Sequence, residues 1–326
     1  MMNQSTNQSQ KPQIQTRRPI SNYEYLNPSR EDDDSIMDGF HYKSGRRYHF
    51  LDGVKYPLPC DTDETYRLKL NYSISRYCWK GNLFYSPLEN ELAKGGMRVL
   101  DVGCGPGGWL LDMAAQFPNS TFVGVDISSM IPKDQQPSNM GFLQCNIHNG
   151  LPFPDDTFDF VFMSHMFTSI TESQWQDVVD DLVRVAKPGG WIELMEGDYM
   201  NATSGPVTRE IQAQTTILLR SRGINMNIGP NVYKYFENIV ELENEIFTGQ
   251  TVTPLGNGTV GELAFKNYKS SHFAVRLHEY MGISKQELEE MFKISQKEMD
   301  EYNTVLNIHR FYAQKKICTE KSEDSW

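Results

Sequence analysis

No stretch of this chain is long and apolar enough to span a bilayer; its apolar runs are short against the roughly 20 residues a membrane helix needs. The first residues, Met1-Met2-Asn3-Gln4-Ser5, lack the basic start and apolar core of a secretory signal. Cysteine is scarce: Cys60, Cys78, Cys104, Cys145 and Cys318 are odd in number, scattered, and nowhere spaced as C-x-x-C. That excludes a disulfide framework and a structural zinc site, and no metal is expected. Together these absences predict a protein of a reducing compartment, cytoplasm or nucleus, neither secreted nor membrane-bound. Positive charge is also short, with 31 Lys and Arg against 42 Asp and Glu and a net charge of −11. Such a surface repels phosphate backbones and anionic lipid, so nucleic acid is disfavoured as a partner.

What is present is enough for one or two packed domains: 326 residues, 39% of them hydrophobic. Residues 1–38, rich in Gln, Asn and Ser and ending in Glu31-Asp32-Asp33-Asp34, bury too little to offset their ordering entropy, and disorder is expected. Residues 317–326 read as a flexible C-terminus. In between, 39–96 reads as a hairpin and helical cap. Asp52-Gly53 sits between two apolar stretches as a hairpin turn. Asp61 with Glu64 makes a capping box for a helix whose stripe is Tyr66, Leu70, Ile74 and Tyr77. Ser86-Pro87 opens a second helix, and Gly95-Gly96 ends it.

From Met97 the pattern alternates. Short apolar strands are expected at 97–101, 121–126, 141–145, 158–163 and 191–196. A helix over 108–116 and another capped by Thr171 and Gln174 lie between them, and Lys187-Pro188-Gly189-Gly190 forms a turn. Strand and helix in alternation predict a parallel sheet covered on both faces. Beyond it, helices are expected at 207–222, at 229–239 and from Ser284, and strands at 240–252 and 303–314. The boundaries that follow are 97–316 for the main domain: 97–196 a cofactor-binding core, 197–302 a lid and acceptor region, and 303–316 the last strand.

The feature that carries chemistry is Val99-Leu100-Asp101-Val102-Gly103-Cys104-Gly105-Pro106-Gly107-Gly108, a buried strand running into a glycine turn that opens a helix. Glycine permits positive φ there and lets a ligand lie against the backbone, and the helix start offers free N–H groups. Gly103, Gly105 and Gly108 also fit a dinucleotide pattern, so the turn alone leaves NAD open. Asp101 ends the first strand, where it can accept from an ammonium group or from backbone donors. Asp126 ends the second, where ribose hydroxyls would sit with either cofactor.

Asp101, Asp126, the run Leu151-Pro152-Phe153-Pro154-Asp155-Asp156 and Lys187-Pro188-Gly189-Gly190, in this order, resemble class I S-adenosylmethionine-dependent methyltransferases over residues 97–196. The segments Gly45-Arg46-Arg47-Tyr48-His49 and Tyr56-Pro57-Leu58-Pro59 are further similar to fungal LaeA-like (methyltransferase type 11/25-like) regulators of secondary metabolism. The resemblance implies a Rossmann-like, seven-stranded, mostly parallel sheet with an antiparallel last strand. It implies S-adenosyl-L-methionine as cofactor, with Gly103, Cys104, Gly105 and Gly107 around its methionine part and Asp101 on its amino group. Asp126 would take the ribose hydroxyls, Ile127 and Ile147 the adenine faces, and Asn146 the adenine amino group, where the family often has Asp. Met163 and Ser164 would floor the sulfonium.

A general base is needed only for an acceptor protonated at working pH. His165, Glu196 and Tyr199 are the candidates, His165 foremost because imidazole titrates near neutrality. Met163-Ser164-His165-Met166 stands where an Asn/Asp-Pro-Pro-aromatic motif would mark methylation of base amines. The expected acceptor is a small molecule or a protein, with Tyr199, Tyr233, Tyr235, Phe236 and Phe265 suiting a bulky apolar or aromatic group. The regulatory alternative is a cofactor-binding protein that acts through protein partners.

Overall fold

The computed structural model describes residues 35–37, 39–50, 56–131, 136–200, 202–237 and 239–317. Ser44 and Gly45, with φ of 49° and 72°, turn the chain between β2 (Phe40–Lys43) and β3 (Arg46–His49), and β1 (Ser35–Met37) pairs antiparallel with β2. Strand β1 falls inside the segment expected to be disordered, where backbone pairing with β2 satisfies its N–H and C=O groups. Residues 1–34, Asp38 and 318–326 lie outside the described residues, as does the Asp52-Gly53 turn. The stretches flanking that turn do meet, through an antiparallel bridge from Tyr48 to Pro59.

Helix α1 (Thr62–Cys78) starts where its cap places it. Asp61 accepts the Glu64 N–H at 3.0 Å and is held by Arg46 at 2.5 and 2.9 Å. The box is half-formed, because the Glu64 carboxylate turns to Arg67. The expected stripe also divides: Ile74 is buried, but Tyr66 and Tyr77 are 66% and 68% exposed. Ile74 lies about 80° round the helix from Tyr66, enough to separate a buried residue from a solvated one. Helix α2 (Glu89–Lys94) begins later than Ser86-Pro87 suggested, since Ser86 gives both its N–H and its hydroxyl to Glu193.

The main sheet contains β4 (Arg98–Val102), β5 (Thr121–Asp126), β6 (Met140–Gln144), β7 (Phe158–Ser164), β8 (Ala186–Asp198), β9 (Phe247–Pro254) and β10 (Val305–Gln314). Its order is β6-β5-β4-β7-β8-β10-β9, parallel from β6 to β8, with β10 antiparallel to both its neighbours. This is the Rossmann-like, seven-stranded arrangement expected. Side chains alternate across it. Val99, Phe160 and Phe162 pack with Trp109 and Leu110 of α3 (Gly108–Gln116), while Leu100, Val161 and Met163 pack with Val178 and Leu182 of α4 (Trp175–Val185). Lys187-Pro188-Gly189-Gly190 is not a turn before β8 but a bulge within it: Phe158 pairs with Ala186 and Phe160 with Trp191.

A helical layer of α5 (Pro206–Arg220), α6 (Gly258–Ala274), α7 (Leu277–Met281) and α8 (Lys285–Glu301) shares a third core with α1, around Ile74, Ile211, Phe265 and Phe292. The capping box of α8 is complete, with Ser284 and Glu287 bonded both ways. Residues 229–239 make only a 3-10 turn over Gly229–Tyr235, and the strand expected over 240–252 shortens and shifts to β9. Among the described residues no helix is long and apolar enough to cross a membrane.

Candidate functional site

The turn leaving β4 is built on backbone that only glycine adopts easily: Gly103, Gly105 and Gly107 have φ of 72°, 51° and 76°. A Cβ on Gly103 would collide with the Met166 thioether, and one on Gly107 with Ile131. At Gly105 it would meet nothing nearer than Leu68 Cδ1 at 3.9 Å, so that side of the turn is open. Asp126, at the end of β5, closes the turn from across the sheet. Its Oδ2 accepts the Gly105 N–H at 2.9 Å and its Oδ1 the Ser128 N–H at 2.7 Å.

Asp101, 3% exposed, borders the same cavity. Burial, and then the charge of Asp126, hold its carboxyl well above the usual carboxylate range. Burial also raises Asp126, against the N–H groups that favour its charged form. The cavity takes in Cys104, Ile127, Asn146, Ile147, Ser164 and His165 as well. The Asn146 side-chain oxygen accepts the His148 N–H at 3.1 Å, shaping the turn it stands on.

Two expected members lie elsewhere. Gly107 caps α3 without bordering the cavity. Met163 is buried in the core on the opposite face of β7. Neighbours on a strand point to opposite faces, so Met163 and Ser164 cannot both floor one site; Phe162 and Ser164 border it instead.

Just past β7, His165 sits in left-handed backbone, φ 54°. Both its ring nitrogens are buried without a hydrogen-bond partner. Burial, aided by the positive charges of Arg310 and Arg67, pushes its imidazole down to about 4, so the ring is neutral at pH 7. His165 borders a second chamber as well as the first, and Tyr56, Leu68, Asn71 and Ser75 are likewise common to both. The walls of this second chamber come from α1, α5, α6, β9 and β10. Of the aromatics expected there only Tyr199 borders it, stacked on Phe167 with ring centroids 4.7 Å apart. Tyr233, Tyr235 and Phe236 pack into the sheet-side core and Phe265 into the core that α6 shares with α1. Phe167, Tyr56 and Tyr268, not foreseen from the sequence as pocket residues, add further rings.

The three base candidates therefore separate. His165 stands between the chambers, and Tyr199 lies in the second with its phenol raised by burial. Glu196 borders neither. Its Oε1 accepts the Met166 N–H at 2.5 Å, and its Oε2 is buried without a partner. Glu196 thus positions the loop that carries His165, and burial pushes its carboxyl up to about 8.

A folded pKa above the unfolded one means stability is full below the unfolded value and is lost as pH rises through the folded value. Glu196→Gln, neutral at every pH, is therefore expected to remove a slope of up to about 1.4 kcal/mol per pH unit between about pH 5 and 8. Urea melts of both proteins across that range check it; parallel profiles would refute it.

The N-terminal hairpin ties the two sides together. The His49 ring is hydrogen-bonded to the Ser128 hydroxyl, beside Asp126, and the Tyr48 hydroxyl donates to the Ala274 carbonyl at 3.0 Å, at the end of α6. Among the described residues no group of three or more His, Cys, Asp or Glu is placed to hold a metal.

Residues 99–190 match the family model described as Methyltransferase domain. The N-methyltransferase sirN of Leptosphaeria maculans is 28% identical over 274 residues, covering 77% of this chain and 91% of that protein. The secondary metabolism regulator laeA of Aspergillus niger is 27% identical over 161 residues, 49% of this chain and 41% of that one. Methyltransferase pytC of Aspergillus terreus is 31% identical over 163 residues, 50% and 48%. The chain thus spans less than half the length of the last two.

Proposed function

We propose that the chain, whose residues 99–190 match a methyltransferase domain on a Rossmann-like sheet, uses S-adenosylmethionine to methylate a small molecule held in its second chamber. The observation that carries this reading is the place of His165, at the junction between the glycine-turn cavity and that chamber. The first cavity suits the cofactor by its chemistry. Two carboxyls, Asp101 buried and Asp126 half-buried, gain most from ammonium and hydroxyl donors, and the open side of Gly105 leaves room for a ligand against backbone.

In this reading Gly103, Cys104 and Gly105 lie along the methionine part and Asp101 takes its ammonium. Asp126 takes the ribose, Ile127 and Ile147 sandwich the adenine, and Asn146 meets its amino group. When bound, the cofactor supplies an electrophilic methyl on a sulfonium. The protein contributes position and dryness: alignment of acceptor and methyl can lower the barrier by about 7–11 kcal/mol. Glu196 fixes the His165 loop from behind.

A protein that binds the cofactor and acts only through partners has no use for a second, largely apolar chamber beside the first, and this favours catalysis on a small molecule. The L. maculans relative is named an N-methyltransferase, which supports nitrogen as one acceptor atom. Calorimetry is expected to show binding of S-adenosylhomocysteine and no heat with NAD; tight NAD binding would overturn the cofactor assignment. Incubation of small-molecule fractions with the protein and methyl-labelled cofactor should give labelled small products, and label confined to protein would sink the acceptor class.

A further inference from the structure

Charge is divided unevenly between the two chambers. Asp101 and Asp126 both border the first, and no carboxylate is among the described residues bordering the second. The one guanidinium in the second chamber's wall, Arg67, is already neutralised: its Nε donates to Glu64 at 2.9 and 3.0 Å and its Nη2 at 2.6 Å. Two histidines are the other basic side chains of its wall among the described residues. His165 and His272 are each held down to about 4, chiefly by burial, and are uncharged at pH 7. The rest is largely apolar, with Leu219, Met226, Leu255 and Ile308 on several sides. The buried Tyr268 hydroxyl has no partner and remains free to donate.

A cation entering such a chamber loses its hydration and finds no anion; a carboxylate finds only a cation already paired. Resting on the methyltransferase reading above, we propose that the second chamber selects a neutral, largely apolar acceptor that presents an un-ionised N–H or O–H to His165. Free ammonium and carboxylate compounds are excluded by desolvation, and so are lysine side chains of proteins. The step balances without a further reagent. The acceptor's lone pair forms the new bond to the methyl carbon as the carbon–sulfur bond opens with its electrons left on sulfur. The acceptor's proton passes to a ring nitrogen of His165, and from there to water as product leaves.

Three probes of one skeleton test the selection: 2-naphthol, 2-naphthylmethylamine (an ammonium at neutral pH) and 2-naphthoate. Each is titrated by calorimetry into the full chain, with and without S-adenosylhomocysteine. 2-Naphthol is expected to bind at least about tenfold more tightly than either charged probe. Gln212→Glu, which adds a carboxylate to the chamber wall, is expected to strengthen binding of the ammonium probe about tenfold. Equal binding of a charged probe, no binding of 2-naphthol, or an unchanged ammonium affinity in Gln212→Glu would each overturn the inference. The S-adenosylhomocysteine titration reports separately on the methyltransferase reading. Its failure removes that reading, while a lost preference among the naphthyl probes removes only this one.

Discussion

Glu193→Ala is expected to lower the free energy of unfolding by about 3–5 kcal/mol, the usual cost of stranding one partner of a buried ion pair. Glu193, on β8, is 0% exposed and accepts from the Tyr85 N–H, the Ser86 N–H and the Ser86 hydroxyl, all within 3.1 Å. Its fourth partner is Arg310 of β10, 2% exposed, with Nη1 at 3.2 Å. That guanidinium lies over the rings of Trp79 and Tyr85, 4.2 and 5.1 Å from their centroids. It also donates to the Asn82 carbonyl at 3.1 Å.

The cluster thus fastens the N-terminal cap to the centre of the sheet. Truncating Glu193 leaves a buried cation and three donors without an acceptor. Adding Arg310→Met to Glu193→Ala is expected to restore part of the loss, because the charge left uncompensated is then gone. Equilibrium denaturation decides the matter, and a single-variant loss below about 1 kcal/mol would show that the pair is better solvated than its burial implies.

Asp126→Ala is expected to weaken S-adenosylhomocysteine binding about 10- to 100-fold, the scale of one or two hydrogen bonds to a charged group. The carboxylate has two tasks. It borders the cavity, and through Oδ2 it fixes the Gly105 N–H that sets the open side of the glycine turn. Asp126→Asn keeps one oxygen acceptor and should fall between wild type and alanine. Calorimetry measures both variants, with circular dichroism to show an intact fold; unchanged affinity in the alanine variant would remove Asp126 from the site.

The cofactor half of this site is readable in residue types, since each of its parts is local. An apolar run before a glycine turn is a strand entering a ligand cradle, and a carboxylate at the end of the next strand faces the same way. Sheet order is not local. The family resemblance supplied the strand number and the antiparallel last strand but no order, because strand pairing depends on contacts that a linear pattern does not record.

The second chamber was mostly illegible for a related reason. The buried stripe of α6 runs through Gly261, Ala264, Tyr268 and His272. A glycine and a histidine there do not register as apolar, so neither the helix nor Tyr268 was foreseen. Met163 failed as a floor residue because adjacent positions were assigned to one face of a strand. Nothing in the side chain of His165 announces its left-handed backbone or its place between two chambers; both follow from how Glu196 and Met195 hold the loop.

Of the residues bordering the second chamber, only His165, Phe167 and Thr168 fall within 99–190; the others come from before and after it. In the proposed reading, the walls that choose the acceptor are therefore written mostly outside the segment that matches the family model. Under the proposed reading, exchanging α5, α6 and β9 between relatives would transplant a substrate preference while leaving the methyl-donor cradle intact.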